Sequence, residues 1–173
     1  MPPEGQPEPW AVINAVARHF DKALDNGSRA ELRRMDPGGS LAEAALHRLL
    51  AQHVPENWLF GERLRRWALI AHVAAILGSD LSLTRERLGK SLSDCDLKEG
   101  RLIAFLQARG DQLLVVAPRL ARLAVAKSVA LNLVELGEYL LDEARDEARA
   151  EHRRVRIAQA FYRAEQRKQS KAA

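Results

Sequence analysis

Residues 24–35 read LDNGSRAELRRM, and this stretch combines a chain reversal, a helix start and two adjacent arginines. The Asn26–Gly27 step indicates a turn, because glycine reaches positive φ without steric cost and asparagine tolerates it well. Ser28 and Glu31 have the spacing of a capping box, in which both side chains accept hydrogen bonds from backbone N–H groups at the start of a helix. The sequence therefore predicts a short helix that presents Arg33–Arg34 almost at once. Such a helix is better suited to contact with a polyanion than to burial in a hydrophobic core.

The rest of the chain reads as a series of helices. Apolar residues recur at intervals of three and four, and no useful run alternates with the period of two that is typical of a strand. Proline, glycine and capping residues mark the predicted helix starts. These starts lie near Pro9, Ser28, Ser40, Trp58, Thr84, Asp96, Asp111 and Asn132. The sequence therefore predicts an all-α fold.

Two of these starts rest on repeats of the capping-box spacing. Ser40 with Glu43, and Asp96 with Glu99, each place a capping side chain three residues before a glutamate. Gly78 is expected to end the helix that begins near residue 58, since glycine is the usual residue just after a helix.

The last helix is predicted to be long. Asn132 and Glu135 mark its start, and we expect a break near Ala150 and a frayed tail from Gln166. At the other end of the chain, Trp10 is expected on the core face of the first helix.

A looser segment at residues 79–83 separates the two groups of helices. We therefore expect two packed helical bundle lobes, an N-terminal lobe over residues 1–78 and a C-terminal lobe over residues 79–173. No internal repeat of fixed period relates the two groups.

Composition limits the function classes. The chain has 173 residues, 47% of them hydrophobic, and its 27 Lys and Arg against 23 Asp and Glu give a net charge of +4. Cys95 is the only cysteine, which excludes an intramolecular disulfide and a multi-cysteine zinc site. The sequence shows neither a run of about 18 apolar residues nor a signal-peptide pattern, so we expect a cytoplasmic protein without a membrane partner.

Basic residues cluster on the predicted helices. Arg63 and Arg66 lie on the helix after Trp58, and Arg109 precedes Gly110. Arg119 and Arg122 follow Pro118 at a spacing of three, which places them on one helix face. This pattern allows a basic face on a nearly neutral surface.

Four motifs, taken in order, resemble the CasB family, the small subunit of the type I-E CRISPR surveillance complex called Cascade. The first is LDNGSRAELRRM with the Pro37–Gly38 break after it. Residues 88–92 (LGKSL) are similar to the family's Leu-Gly-basic-small-Leu element, and residues 98–101 (KEGR) to its Glu-Arg-Arg helix start. Residues 131–133 (LNL) are similar to its Leu-Asp-Trp segment. Gly100 and Asn132–Leu133 depart from the family pattern.

The resemblance implies a two-lobed helical protein with no catalytic step and no cofactor. It also implies partners: other Cascade subunits, guide RNA, target DNA and a second copy of the chain, all acting to stabilise the R-loop in antiviral defence. The nucleic-acid-binding residues that carry over by position are Arg33, Arg34, Lys90, Arg101, Arg119 and Arg122. The charge pattern adds Arg63, Arg66 and Arg109 to this set of RNA- and DNA-binding candidates.

Other interpretations remain open. The basic face also suits a protein-protein scaffold with no nucleic-acid role, because arginines on amphipathic helices usually form a solvated face. A helical enzyme such as a nuclease is disfavoured, since no convergent cluster of titratable residues is evident and the five histidines form neither an i, i+4 pair nor an HExxH motif. Three further arginines are assigned to intrahelical pairs rather than to a site, namely Arg145 with Asp142, Arg149 with Asp146 and Arg154 with Glu151.

Overall fold

The computed structural model describes residues 6–22 and 25–172, and within these ranges it contains ten α-helices, one short 3-10 helix and no strand. The all-α prediction is confirmed. The α-helices are α1 (Pro9–Lys22), α2 (Asn26–Arg34), α3 (Ala44–His53), α4 (Gly61–Leu77), α5 (Ser79–Ser82), α6 (Leu88–Asp94), α7 (Glu99–Gln107), α8 (Asp111–Lys127), α9 (Leu133–Glu143) and α10 (Glu147–Ala172). No helix in the described ranges has the length and apolar character needed to cross a membrane.

Several helix ends follow directly from local sequence. Pro9 is the first residue of α1, and Gly78 ends α4 with a φ of 72°, a value that favours glycine. The Asn132 side chain accepts a hydrogen bond from the backbone N–H of Glu135 at 2.9 Å, which caps α9 as predicted.

The start of α2 differs from the prediction. Its N-cap is Asp25, whose carboxylate accepts from the backbone N–H of Ser28 at 2.9 Å and from the Ser28 hydroxyl at 2.7 Å. A carboxylate is a stronger acceptor than a hydroxyl and also favours the positive end of the helix dipole. Asn26 and Gly27 therefore form the first turn of α2 instead of a reversal, and Leu24 lies outside the described residues.

The Glu31 carboxylate also has a different role, because it accepts from the backbone N–H of Ala45 at 3.3 Å, in the first turn of α3. The predicted Ser40–Glu43 capping box is wrong: Glu43 is itself the N-cap residue of α3 and makes no side-chain capping bond. A carboxylate from a neighbouring helix thus satisfies a backbone donor that the local sequence leaves free.

The predicted Asp96–Glu99 box is also wrong, for a different reason. Asp96 has a φ of 56°, its carboxylate pairs with the Lys127 ammonium at 3.0 Å, and α7 begins after Lys98. Likewise α6 begins at Leu88 rather than Thr84, and the Leu88 N–H donates to the Glu135 carboxylate of α9 at 2.6 Å.

Three other expectations are corrected. The 3-10 turn at Glu56–Trp58 precedes α4, which starts at Gly61. The break predicted near Ala150 lies between α9 and α10, and α10 continues as a helix to Ala172 instead of fraying. Trp10 is 50% exposed, so it is not a core residue.

Helix α4 forms the centre of the packing. From Arg66 to Ala75 every residue is buried, and α1, α2, α8 and α9 pack against this helix. A helix that is buried all round must be covered on every face, which explains why elements from both ends of the chain meet here. The buried apolar side chains of both halves join in one cluster, and the division into lobes after residue 78 stays a prediction.

Helix α10 packs chiefly against α6, and Gly89 sets their separation. A Cβ at this position would collide with the Ile157 carbonyl oxygen and lie 2.7 Å from the Phe161 nitrogen. Only glycine therefore allows the two backbones to approach this closely.

We expect Gly89→Ala to destabilise the protein by about 1–3 kcal/mol, because the extra methyl must push α6 away from the backbone of α10. Gly100→Ala is the matched control, since its Cβ would have no neighbour within 4 Å, and it should be neutral or slightly stabilising. Urea denaturation followed by circular dichroism measures both. Equal stability of the two variants would contradict the close packing.

Candidate nucleic-acid interface

Four of the predicted basic residues line one open groove of about 370 Å³ between α2 and α8, here called the α2–α8 groove. Arg33 and Arg34 reach it from the last turn of α2, and Arg119 and Arg122 from the middle of α8. All four side chains are exposed. The structure therefore brings together cations that lie far apart in the sequence.

Backbone carbonyls orient the α2 arginines. Arg33 donates from Nε to the Ala75 carbonyl of α4 at 2.8 Å, and Arg34 donates from Nε to the Ala30 carbonyl at 3.2 Å. No ion pair within the described residues involves any of the four groove arginines. A guanidinium has five N–H donors, so donors remain for an external anion.

His72 of α4 lies beneath this groove and is 3% exposed. Its Nδ1 is 2.8 Å from the Leu32 carbonyl, which accepts a hydrogen bond from it. Burial lowers the pKa of His72 below its ordinary value of 6.5, and the positive charge of Arg122 lowers it further. The positive charge of the groove at neutral pH therefore comes from its arginines.

A second groove of about 440 Å³, the α7–α8 groove, adjoins the first. Arg101 and Arg119 are its charged residues, and Arg119 belongs to both grooves. The other side chains that line it are apolar, namely Leu97, Ala104, Val116, Leu120 and Leu123. Five of the predicted basic residues thus line these two grooves, which share Arg119 and are here together called the α8 surface.

Arg66 is placed differently. It is 2% exposed, its Nη2 lies 2.6 Å from the Glu143 carboxylate, and its Nη1 donates to the Gly110 carbonyl at 3.3 Å. Glu143 also accepts from the Gly110 N–H at 3.0 Å. Arg66 therefore joins α4 to α9 and to the turn before α8, and as a buried cation it does not belong to the exposed basic surface.

The three remaining predicted residues are occupied by contacts within the chain. The Arg63 guanidinium lies 5.2 Å from the centroid of the Trp58 ring. Lys90 lies between Glu86 at 3.4 Å and Asp94 at 2.8 Å, and its hydrogen bond to Asp94 raises its pKa. Arg109 donates from Nη1 to the Leu106 and Ala108 carbonyls at 2.8 and 2.9 Å. The structure does not bring these three to the α8 surface.

Comparison with known proteins identifies the family. The family model described as CRISPR-associated protein Cse2 matches residues 28–162, which is most of the chain. The chain belongs to the Cse2 family. The resemblance to CasB inferred from the four motifs is thereby confirmed.

Solved structures have the same fold. A chain of a structure titled "CRISPR RNA-guided surveillance complex" superposes with a TM-score of 0.74 at 20% identity, over 96% of this chain and 100% of that one. CasB from M. ruber superposes with a TM-score of 0.68 at 20% identity, over 94% of this chain and 98% of that one. A Cse2-family protein from Thermus thermophilus superposes with a TM-score of 0.64 at 20% identity, over 91% of this chain and 99% of that one. No curated protein matches the sequence.

This Cse2 chain has a further basic groove, of about 420 Å³, in which Lys90 is the residue that the sequence analysis predicted. It lies between α6 and α10, and its cationic residues are Arg87, Lys90, Arg156, Arg163 and Arg167. The last three recur at i, i+7 and i+11, which places them on one face of α10. This spacing is the sequence signal that could have predicted the groove. Arg87 pairs with Glu135 at 2.6 Å.

The acidic partners of α10 agree largely with prediction. Arg149 pairs with Asp146 at 3.4 Å and Arg154 with Glu151 at 2.8 Å, as expected. The predicted pair of Arg145 with Asp142 is wrong, because Asp142 pairs with Arg153 of α10. Within the described residues no group of three or more His, Cys, Asp or Glu side chains could hold a metal ion.

We expect Glu143→Ala to destabilise the Cse2 fold by about 3–5 kcal/mol, because it leaves the buried Arg66 without a counter-ion. The double variant Arg66→Met with Glu143→Leu removes both charges and should recover most of this loss. Lys127→Ala, which breaks an exposed pair with Asp96 from a helical position of α8, is the control and should change stability much less. Thermal and urea unfolding measure all three. A Glu143→Ala variant as stable as the control would contradict the structural role of the pair.

Proposed function

We propose that this Cse2 chain is a non-catalytic small subunit of a CRISPR RNA-guided surveillance complex, in which it binds nucleic-acid backbone and stabilises the R-loop. The observation that carries the proposal is the α2–α8 groove, where Arg33, Arg34, Arg119 and Arg122 converge and form no ion pair among the described residues, with Asp36 also lining the groove. The likeness of the fold to a chain of a surveillance-complex structure supports the assignment to such a complex.

The chemistry of arginine suits this role. Its planar guanidinium donates two parallel hydrogen bonds to a phosphate and stays charged at all physiological pH values. In an RNA-guided complex, base pairing with the guide reads the sequence, so a subunit beside the strands needs only to recognise their backbone. A groove of arginines, two of which are oriented by backbone carbonyls, provides such recognition without base-specific contacts.

The proposal also covers partners and location. Other subunits of the complex and a second copy of this chain are the protein partners, guide RNA and target DNA are the nucleic acids, and the complex acts in the cytoplasm. Exposed large apolar side chains such as Trp10 (50% exposed) and Phe60 (62% exposed) suit contacts with protein partners.

These apolar residues also favour the second candidate function, a protein scaffold with no nucleic-acid contact. The two functions differ in their dependence on salt. Phosphate contacts release counterions, so binding to nucleic acid must weaken steeply as salt rises. A scaffold would bind nucleic acid weakly and without this dependence.

We expect Arg33→Ala with Arg119→Ala to weaken nucleic-acid binding about tenfold or more and to reduce the slope of log K against log salt by about 1.8 for duplex DNA, because two phosphate contacts are lost. The control, Arg18→Ala with Arg149→Ala, removes the same charge from exposed positions of α1 and α10. R-loop formation by the assembled complex and a salt titration of binding measure both variants.

The control variant should keep the salt slope of the unmodified protein, and circular dichroism should be unchanged in both. An unaltered slope in the Arg33/Arg119 variant would remove these residues from the proposed interface. An equal loss in both variants would assign the effect to net charge instead of to the groove.

A further inference from the structure

The α7–α8 groove has an apolar floor, which phosphate binding does not require. Its floor is apolar, with Leu97 and Leu120 each only 5% exposed and Val116 and Leu123 partly buried. Exposed Arg101 and Arg119 are the charged residues that line it. A phosphate gains nothing from an aliphatic floor, so the occupant that fits this groove is an anion with an apolar surface attached.

Arg119 connects this groove to the α2–α8 groove, because it lines both. A strand whose phosphates lie along Arg33, Arg34 and Arg122 therefore passes the opening of the apolar groove. This continuity is the reason to seek the occupant in the same strand, and the inference therefore rests on the proposed function.

We propose that the α7–α8 groove binds an unpaired nucleobase of a single strand, while Arg101 and Arg119 hold the flanking phosphates. The bases of a duplex are paired and stacked inside it, so only a single strand can turn a base into a side groove. A nucleobase has a flat face that packs on apolar side chains such as those of the groove floor. The groove thus makes the Cse2 surface selective for single-stranded over double-stranded nucleic acid.

The competing occupant is an acidic, apolar segment of a partner protein, whose carboxylates would pair with the same two arginines. The shared Arg119 favours the base, because a peptide seated here would compete with the strand for that side chain. The experiment below separates the two.

Fluorescence anisotropy of the full chain with two labelled probes tests the proposal. One probe is a single strand of thymidines, and the other is a strand of equal length made of abasic sites, which has the same phosphates and no bases. We expect the thymidine strand to bind at least about fivefold more tightly, which is the lower end of what stacking of a single base provides. The salt slopes should be equal, since the phosphate contacts are the same.

Ala104→Leu fills the groove from an exposed position of α7 without changing charge. It should abolish the preference for thymidines and leave binding of the abasic strand unchanged. Ala148→Leu makes the same substitution at an exposed position of α10 and should keep the preference. Circular dichroism and urea denaturation check that both variants fold.

Other outcomes overturn the proposal. Equal binding of the two probes by the unmodified protein would exclude a base site, while a steep salt slope for both would leave the proposed backbone-binding function in place. A preference retained in Ala104→Leu would place the base site outside the α7–α8 groove, which overturns the proposal and leaves the acidic segment as the candidate occupant of the groove. Failure of both probes to bind at any salt concentration would overturn the proposed function as well.

Discussion

The burial of α4 on every face is the constraint on which the basic surface depends. Helices α2 and α8 both pack against α4, and Arg33 donates to the Ala75 carbonyl of this helix at 2.8 Å. The buried face of α8 includes Ala117, Ala121 and Ala124, whose small side chains allow close packing. Because one buried helix positions both neighbours, their outward arginines are fixed in one groove before any ligand binds. Such preorganisation lowers the entropy cost of binding a strand.

Local sequence signals predicted helix ends correctly where the interactions that fix those ends lie within a few residues of each other. Pro9, Gly78 and Asn132 mark helix ends because φ restriction, positive φ and a side-chain cap act within a few residues. The predicted capping boxes failed for separate reasons: Asp25 replaces Ser28 as the N-cap of α2, a carboxylate from α2 serves the start of α3, and Asp96 pairs with Lys127. Glu31 reaches the start of α3 and Glu135 the start of α6. Partners of this kind depend on tertiary packing and cannot be read from spacing.

The candidate site likewise combines features that the sequence predicts with features that depend on tertiary packing. The motif order and the i, i+3 spacing placed Arg33, Arg34, Arg119 and Arg122 in the predicted set, and packing brings them together. Arg66 has an equally basic local sequence, yet Glu143, far along the chain, makes it a buried ion pair. Spacing within one helix cannot distinguish an exposed cation from a buried one. The α10 arginines were missed because their repeat of seven and eleven residues is visible only over three helical turns.

The central claim is that the α2–α8 groove touches nucleic acid, and site-specific crosslinking tests it most directly. Val115 is 50% exposed and lines this groove, so a benzoylphenylalanine at position 115 lies beside Arg119. Trp10 of α1, 50% exposed and outside the three basic grooves, is the control position. On irradiation of the assembled complex, we expect a covalent adduct with guide RNA or target DNA from position 115 and none from position 10. Adducts from position 115 with protein subunits alone would contradict the claim.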